Sequence, residues 1–302
     1  GGHARVRDMD VGGELVVAKT LTSESVAVGG TLEVKGALDA RVAEVGGSAR
    51  LAQVRLDTLE IGGFAELEGG EIREKAEVGG TLRTSQALRF GSLEVGGLVT
   101  LGPGSSGHRI EVGGELRALG ELTFTRLEIG GRGQFGGSAK GDQVEVGGQL
   151  RVEGSLALTD RFEAGGDIEI TGDLTARSLE VGGSFRARSA ILSGDAEFSG
   201  TVRTDKGVKA RTIELERKSE AAGPLVAETV RLGRRSRADT VWGDSVRLDE
   251  RCEVNSVYAR TVELDDGCHV GRVQYTERIA TGTQVTVLTP PERVSALPTP
   301  PL

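Results

Sequence analysis

The chain has 302 residues and a formal net charge of −8, with 47 glycines and only 3% aromatic residues. Glycine is roughly twice as frequent as in an average protein. With only 7 prolines and a steady supply of Val, Leu and Ile, however, the composition fits neither collagen nor a disordered linker. No apolar run approaches the ~18 residues of a membrane span. The acidic balance and the scarcity of aromatic residues argue against nucleic acid as a partner.

Residues 1–10 form a short N-terminal segment before the first repeat. They contain no apolar stretch and therefore do not predict a signal peptide. Because the chain starts at Gly1 and not at Met, the sequence is compatible with a further segment upstream. Two cysteines in the whole chain are too few for a disulfide framework and fit a reducing compartment.

Residues 11–197 contain a Gly-Gly pair that recurs eleven times at nearly constant intervals. Self-similarity at a fixed period indicates one structural unit stacked many times. Each pair follows an aliphatic or alanine residue, which we call the anchor. These anchors are Val11, Val28, Val45, Ile61, Val78, Val95, Val112, Ile129, Val146, Ala164 and Val181.

Residues 198–288 continue the same spacing without Gly-Gly pairs, so the repeats there are degenerate. From Val11 to Thr281 the spacing defines 17 anchors, and the mean repeat length is about 17 residues. One repeat array is therefore predicted to run through nearly the whole chain. The anchors of the degenerate part are Phe198, Leu215, Leu232, Leu248, Leu264 and Thr281.

Within each repeat the apolar residues alternate with period two, which is the period of a β-strand. Positions four and six residues after an anchor, such as Leu32 and Val34, are predominantly apolar, and the residues between them are mostly charged or polar. An odd repeat length must break this alternation once per coil, and we expect the break just before the anchor, as at Ala43 and Glu44. The Gly-Gly pair is expected to form a corner because glycine adopts positive φ without steric cost.

This pattern fits one coil of a parallel β-helix, with about three short strands and tight corners. The repeat is too short for a helix-turn-helix pair and lacks the Leu and Asn positions of a leucine-rich repeat. The glycine signature occurs once per coil, whereas left-handed β-helices carry their hexapeptide three times, and right-handed crossovers are the general rule. The sequence therefore predicts an all-β fold, a single-stranded right-handed parallel β-helix (β-solenoid) of about 17 coils of about 17 residues.

Residues 289–302 form a proline-rich tail that contains five of the seven prolines. This composition favours a polyproline-like conformation. Three roles stay open for the tail, which are to cover the last strand edge, to contribute contacts between polymer subunits, or to bind a partner.

Several blocks of the repeat carry a resemblance to a known family. Glu77–Arg83, Glu111–Arg117 and Glu145–Gly154 each begin with Glu-Val-Gly-Gly and continue with a polar residue, Leu and Arg. They resemble the bactofilins, the polymer-forming cytoskeletal family of bacteria and archaea, over roughly residues 11–287. The resemblance implies a nucleotide-independent filament of β-helical subunits joined end to end, often peripheral to the membrane and involved in cell shape or scaffolding. The chain departs from the family pattern of one short β-helical core between disordered tails.

The two terminal coils are expected to mediate assembly. Each presents an open strand edge, and an open edge is a template for adding another chain. The predicted polymer contacts are apolar residues of these coils, namely Val11, Leu15 and Val17 at one end and Val285, Val287 and Leu288 at the other.

The residue before the anchor is Glu in eleven successive repeats. Like charges ~4.8 Å apart repel by roughly 0.9 kcal/mol per pair even in bulk water, so we expect cations to relieve the column. Arg is the expected source, with Arg109 and Arg126 two residues before their Glu and Arg41, Arg89 and Arg177 further upstream. The column is a solvated face that prevents lateral aggregation or, alternatively, an acidic stripe that binds cations or a basic partner. Its members are Glu44, Glu60, Glu77, Glu94, Glu111, Glu128, Glu145, Glu163, Glu180, Glu197 and Glu214.

The sequence predicts no catalytic, cofactor or metal site. Cys252 and Cys268 occupy the same position in neighbouring repeats and are expected to stack as small buried residues in one inward column or, alternatively, to form a disulfide across the two coils. With His269 as the only further ligand nearby, they do not predict a zinc site. The other two histidines, His3 and His108, lie on distant coils.

Two further observations argue against an enzyme. Residues 102–107 match a dinucleotide fingerprint by letter, but another strand is expected after them where the motif requires a helix. Carbohydrate-active β-helix enzymes build a lateral cleft from loop insertions, and the constant spacing of this chain leaves no room for such insertions.

We therefore expect a structural, filament-forming cytoskeletal or scaffold protein that assembles without nucleotide. Its expected partners are further copies of itself, with a membrane surface or a scaffolded protein beside them, and neither nucleic acid nor a small-molecule substrate. The expected location is cytoplasmic, at the periphery of the membrane. An extracellular β-solenoid adhesin or surface-fibre protein is the main alternative, and a carbohydrate-active enzyme is a more distant one. The low content of Asn and Met is typical of thermophile proteins.

Overall fold

A computed structural model describes residues 3–302, apart from the side chain of His3, and its regular secondary structure consists of strands. Gly1 and Gly2, which begin the predicted N-terminal segment, lie outside the described residues. The chain divides into two compact units, Gly1–Gly154 and Ser155–Leu302. The strands of the first unit are β1 (His3–Arg5), β2 (Asp8–Val11), β3 (Glu14–Val17), β4 (Thr20–Val28), β5 (Thr31–Val45), β6 (Ser48–Ile61), β7 (Phe64–Val78), β8 (Thr81–Thr84), β9 (Leu88–Val95), β10 (Leu98–Leu101), β11 (Ser105–Val112), β12 (Glu115–Ala118), β13 (Leu122–Ile129), β14 (Arg132–Phe135), β15 (Ala139–Gly141), β16 (Gln143–Val146) and β17 (Gln149–Val152).

The second unit continues the same kind of structure. Within residues 3–302 there is no helix with the length and apolar character needed to cross a membrane. The strands of the second unit are β18 (Leu156–Leu158), β19 (Arg161–Ala164), β20 (Asp167–Ala176), β21 (Ser178–Val181), β22 (Ser184–Leu192), β23 (Asp195–Phe198), β24 (Thr201–Leu215), β25 (Glu220–Leu232), β26 (Arg237–Leu248), β27 (Glu253–Leu264), β28 (His269–Thr281), β29 (Thr286–Val287) and β30 (Glu292–Arg293).

Strands of successive coils pair in parallel, with an offset close to the repeat length. Glu111 of β11, for example, lies between Glu94 of β9 and Glu128 of β13. One coil contains three short paired stretches, as where β3 and the two halves of β4 all pair with β5. The predicted parallel β-solenoid is confirmed, with nine of the 17 anchors in the first unit and eight in the second. Its right-handed winding stays a prediction.

The core contains the two inward columns that the sequence predicted. Positions four and six after the anchor are buried in every coil between the first and the last, as at Leu116 and Ala118, which are 0% and 4% exposed. A further column, which the sequence analysis did not identify, lies two residues before the anchor, as at Leu93. Because all these side chains point inward along short strands, the core is narrow and repeats from coil to coil.

The alternation does not break where it was expected. Ala43 is fully buried, so the predicted break at Ala43 and Glu44 is wrong. The break falls at Arg41 and Val42, where two consecutive residues both lie outside the core. A corner there turns the chain before the last strand stretch of the coil, and this returns Ala43 and the anchor Val45 to the inward side.

The Gly-Gly pairs form corners, as predicted, but the predicted reason is wrong. Positive φ occurs among the described glycines only outside these pairs. Successive corners instead stack so closely that a Cβ on Gly46 would lie 2.6 Å from the carbonyl oxygen of Gly29, and a Cβ on Gly47 would lie 2.6 Å from that of Gly30. Close approach of two backbones, rather than an unusual backbone conformation, therefore requires glycine at these corners.

In the second unit the corner changes to a tight turn with one residue in the left-handed region. These residues have φ between 55° and 70° and are Lys218, Arg235, Arg251, Gly267 and Gln284. The residue after each is buried in the first four turns, and there it is Ser or Cys. Ser219 Oγ donates to the carbonyl of Phe198 at 3.1 Å, and Ser236 Oγ donates to that of Glu216 at 2.6 Å. Both carbonyls also accept a backbone N–H, so the serine side chain adds a second hydrogen bond that ties the turn to the preceding coil.

The same turn occurs in the first unit at the segment that resembles a dinucleotide fingerprint. Gly104 has φ of 76°, and Ser105 Oγ donates to the carbonyl of Gly102 at 2.7 Å. The expected strand is confirmed, because β11 begins within the segment at Ser105 and continues to Val112, where the fingerprint requires a helix. The segment is therefore a corner of the coil.

Phenylalanine fits this narrow core by alternating with glycine along one row. Phe90 and Phe124 are 5% and 4% exposed, and both lie opposite Gly107 in the register. A Cβ on Gly107 would lie 2.8 Å from Phe90 Cζ. Each ring thus fills the space that a side chain on the neighbouring coil would occupy.

Candidate functional site

The first coil of the first unit exposes an unpaired strand edge. Its strands β1, β2 and β3 pair with β4 and β5 on one side, and no described residue pairs with them on the other. Three of the predicted polymer contacts lie here, with Val11 and Leu15 half-buried and Val17 9% exposed. Backbone donors and acceptors therefore lie beside apolar side chains on one surface.

The same columns are fully covered one coil further in. Val28, Leu32 and Val34 follow Val11, Leu15 and Val17 in these columns, and they are 2%, 0% and 1% exposed. The difference arises because each internal coil is covered on both sides, whereas the first coil is covered on one side. The structure thus brings the three predicted residues together as the exposed cross-section of the core.

The last coil of the second unit is covered in part. β29 pairs with residues 269–270 of β28, and β30 pairs with residues 274–275, so the beginning of the predicted tail continues the solenoid. Residues 278–281 of β28 have no strand on their outer side within the described chain. The other three predicted contacts lie here, with Val285 and Val287 half-buried and Leu288 80% exposed.

Cations bridge the glutamate column as predicted for Arg109 and Arg126. Arg109 Nη2 lies 2.9 Å from Glu111 Oε2 and 3.6 Å from Glu128 Oε2. Arg126 Nη2 lies 4.0 Å from Glu128 Oε2 and 3.7 Å from Glu145 Oε2. Each guanidinium therefore joins the Glu of its own coil to the Glu of the next coil, which offsets the repulsion along the column.

Lys75 and Arg161 make the same bridge, although the sequence analysis did not name them. Lys75 Nζ lies 2.9 Å from a carboxylate oxygen of both Glu77 and Glu94, and these two contacts raise the pKa of the Lys75 ammonium. Arg161 Nη2 contacts the Glu of its own coil at 2.6 Å and the Glu of the next coil at 3.0 Å. The signal was available, because both residues precede their Glu by two.

The candidates further upstream do not take part. The bridges between described residues do not include Arg41, Arg89 or Arg177. These residues precede their Glu by three or five positions and are themselves exposed. For Arg41 the break in alternation at Arg41 and Val42 lies between the cation and Glu44. An offset of two keeps the cation and the carboxylate on the same face.

Glu197 is the crowded member of the column. Two residues before it stands Asp195, which pairs with Arg211 at 3.0 Å, so the bridging position holds an acid. Partial desolvation, a hydrogen bond shared with Glu216 and repulsion from Glu180 all raise the pKa of Glu197 above its ordinary value. Cations therefore offset the repulsion between carboxylates in most coils, whereas the position that would hold the cation beside Glu197 is occupied by an acid.

Cys252 and Cys268 lie in the inward column, where the sequence placed them. Both are free thiols with 0% exposure. Cys252 Sγ donates to the carbonyl of Gly233 and Cys268 Sγ to that of Asp249, each at 3.1 Å. The neighbouring Cys268 and burial raise the pKa of Cys252. Both thiols thus act as turn residues, in the position that Ser occupies in the preceding coils.

The described residues include no group of three His, Cys, Asp or Glu side chains that could hold a metal ion. The glutamate column therefore brings carboxylates into rows without forming a cation cage. Comparisons with protein-family models, with curated proteins and with solved structures found no match to this chain. Among the described residues, open strand edges lie at the first coil of the first unit and at the last coil of the second unit.

Proposed function

We propose that this protein forms filaments by stacking its terminal coils end to end, without nucleotide, in the manner of the bactofilins. The observation that carries the proposal is the half-exposure of Val11 and Leu15 beside unpaired strand edges, in columns that are fully buried one coil further in. Full burial of an aliphatic side chain contributes roughly 1.5–3 kcal/mol. Covering the terminal coil with another coil thus stabilises the contact through core residues and backbone hydrogen bonds together.

The first corner supports a contact that continues the repeat. A Cβ on Gly12 or Gly13 would meet nothing within 4 Å, whereas every later glycine corner of the first unit receives a carbonyl oxygen from the coil before it. The first corner is thus open for the corresponding carbonyl of a second copy. A contact between two different ends is heterologous, and heterologous contacts that do not close into a ring generate filaments.

The remaining parts of the proposal follow from a structural role. The main partner is a further copy of the chain, and a membrane surface or a scaffolded protein is a secondary one, in the cytoplasm. No catalytic role is proposed. Stacking of backbone edges consumes no nucleotide, which fits a scaffold that assembles spontaneously.

Negative-stain microscopy and sedimentation of the purified chain at micromolar concentration test this proposal. We expect filaments for the natural sequence. We expect their loss for Leu15→Glu, because this substitution places a charge on the exposed cross-section of the core at the first coil. Leu119→Glu is the matched control, because Leu119 is 56% exposed and lies outside the terminal coils. It should leave the filaments intact. Monodisperse particles of the natural sequence over a range of salt concentrations would contradict the proposal.

A further inference from the structure

An outward-facing row across five coils of the second unit carries one aliphatic and two aromatic side chains at its centre. We call it the aromatic strip and define it as the register row Lys209, Val226, Trp242, Tyr258 and Gln274. The rings of Trp242 and Tyr258 stack with their centroids 5.1 Å apart. Other outward rows of the solenoid carry mainly charged side chains, so two stacked aromatic rings are unusual there.

Both ends of the C-terminal segment are fixed on this strip. At one end Glu292 lies opposite Gln274, whose Nε2 donates to Glu292 Oε2 at 2.8 Å. At the other end Lys209 Nζ donates to the carbonyl oxygen of Leu302 at 3.4 Å. The four register steps between these points measure about 19 Å, and ten residues of polyproline II reach about 31 Å. The segment therefore has the length to cross Tyr258, Trp242 and Val226 on its way.

The burial of the segment has the period of a polyproline II helix. Val294, Leu297 and Pro300 are half-buried at intervals of three, and the residues between them are exposed; the final residue, Leu302, is half-buried as well. Polyproline II has three residues per turn, so these side chains lie along one edge. We call residues 294–302 the strap, and we infer from its two fixed ends that this edge faces the strip.

The strip is largely covered, but one of its hydrogen-bond donors has no acceptor. Val226 points outward and yet is only 9% exposed. Trp242 Nε1 is buried and donates to no acceptor among the described residues. A buried indole N–H ordinarily has a partner, and aromatic-lined grooves bind proline-rich segments through their preformed helix. The strap thus occupies the strip while leaving one donor free for a ligand carbonyl.

We propose that the aromatic strip is a binding site for proline-rich peptides of partner proteins, held closed here by the strap as an internal ligand. The unpaired Trp242 donor favours exchange of the strap for a partner peptide. A peptide that places a carbonyl at this point accepts a hydrogen bond from Trp242 Nε1, which the strap does not. The favoured ligand carries apolar residues at every third position, one of them proline, as the strap does. This site lies on the side of the second unit and does not depend on filament formation.

Trp242 is the only tryptophan of the chain and therefore reports the state of the strip directly. Deletion of residues 294–302 should shift its fluorescence to the red and increase its quenching by acrylamide. A synthetic peptide with the sequence of residues 292–302 should reverse both changes saturably in the truncated chain. The full-length chain should bind the same peptide at least tenfold more weakly, because its own strap competes at high effective concentration.

A matched pair of substitutions tests the contact between strap and strip in the full-length chain, without truncation. Leu297→Asp should open the strap and increase quenching of Trp242, whereas Thr299→Asp, at an exposed position, should not. In the peptide, Leu297→Asp should weaken binding about tenfold or more. Replacement of Pro298, Pro300 and Pro301 by Ala should also weaken binding, because the helix is then less preformed.

Three results would overturn the proposal. The first is quenching of Trp242 that neither the deletion nor Leu297→Asp changes while circular dichroism shows the β fold intact. The second is the absence of saturable peptide binding to the truncated chain and to the Leu297→Asp chain. The third is equal affinity of the natural and the proline-free peptides, which would assign the strip to apolar segments in general.

Discussion

Replacement of Gly46 by Ala should destabilise the first unit, although the same substitution at Gly13 should not. Both glycines belong to Gly-Gly corners of the first unit. A Cβ on Gly46 would lie 2.6 Å from the carbonyl oxygen of Gly29, while a Cβ on Gly13 would meet nothing within 4 Å. Neither glycine has positive φ, so the backbone conformation itself accommodates alanine at both sites.

The sizes of the two effects follow from this difference. An ordinary contact with a Cβ begins near 3.4 Å, so the corners at Gly46 must separate by most of an ångström or distort. Overpacking of this kind costs about 1–3 kcal/mol. Alanine restricts the unfolded chain and thereby stabilises by about 0.4–1 kcal/mol. The net expectation is a loss of about 1–2 kcal/mol for Gly46→Ala and a gain of about 0.4–1 kcal/mol for Gly13→Ala.

Thermal unfolding at a concentration below that of assembly measures both variants. For a unit of this size 1 kcal/mol corresponds to roughly 2–4 °C in Tm. Gly46→Ala should lower the Tm by several degrees, and Gly13→Ala should leave it unchanged or raise it slightly. Equal destabilisation by the two substitutions would refute the reasoning, because it would mean that glycine is required for its conformational freedom.

Further substitutions test the glutamate column, the core and the ends. Glu197→Gln should raise the Tm at pH 7 by the equivalent of at most about 1 kcal/mol, whereas Glu111→Gln, which loses the Arg109 contact, should lower it slightly. The pKa of Glu197 is raised in the folded state, so its contribution to stability is present at low pH and is lost as the pH rises. The effect of Glu197→Gln should therefore vanish below about pH 4. Gly107→Ala should lower the Tm by the equivalent of about 1–3 kcal/mol through overlap with the Phe90 ring. Gly13→Ala should reduce filament formation without lowering the Tm, as seen by microscopy of the samples used for unfolding.

The columns of the solenoid were predictable because period two and period 17 are visible in the residues themselves. Leu116 and Ala118 are apolar, Glu115 and Arg117 before each of them are charged, and a similar arrangement recurs in most coils. Parallel stacking then places like positions together, so burial in one coil implies burial in the next. The Arg109 and Arg126 bridges were predictable for the same reason, because same-face offsets on a strand are even numbers.

Contacts between coils were less predictable, because they depend on how closely two backbones approach. The sequence shows a glycine at position 46, but it does not show whether the glycine is required by a positive φ or by the nearby carbonyl of Gly29. Only the distance between the two stacked corners distinguishes these reasons. The alternation of Phe90 with Gly107 also requires the register between coils. The position of the strap was not predicted, because a proline-rich composition indicates the conformation of a segment but not the surface on which it lies.

The change of corner in the second unit has a physical rationale. A Gly-Gly corner depends on a carbonyl of the preceding coil directly beneath it, so it suits coils of equal length in strict register. A turn with a left-handed residue, as at Arg235, completes its own geometry, and Ser236 Oγ then adds a hydrogen bond to the carbonyl of Glu216 in the preceding coil. Such corners tolerate side chains of any size at the surface. The second unit can therefore carry features on its faces, and the aromatic strip lies where these turns replace Gly-Gly.

The blocks that resemble the bactofilins have a structural explanation at the level of single residues. In a block such as Glu111–Arg117, the anchor Val112 fills the core, the two glycines permit close stacking, and Glu111 is bridged by Arg109. Each of these positions thus has a structural reason in the coil and in its stacking on the neighbouring coils. Any solenoid with this corner and this column would select the same residues, so the block specifies a coil rather than an activity. We therefore expect function to depend on the terminal coils and the aromatic strip, and substitutions there test the two proposals separately from the fold.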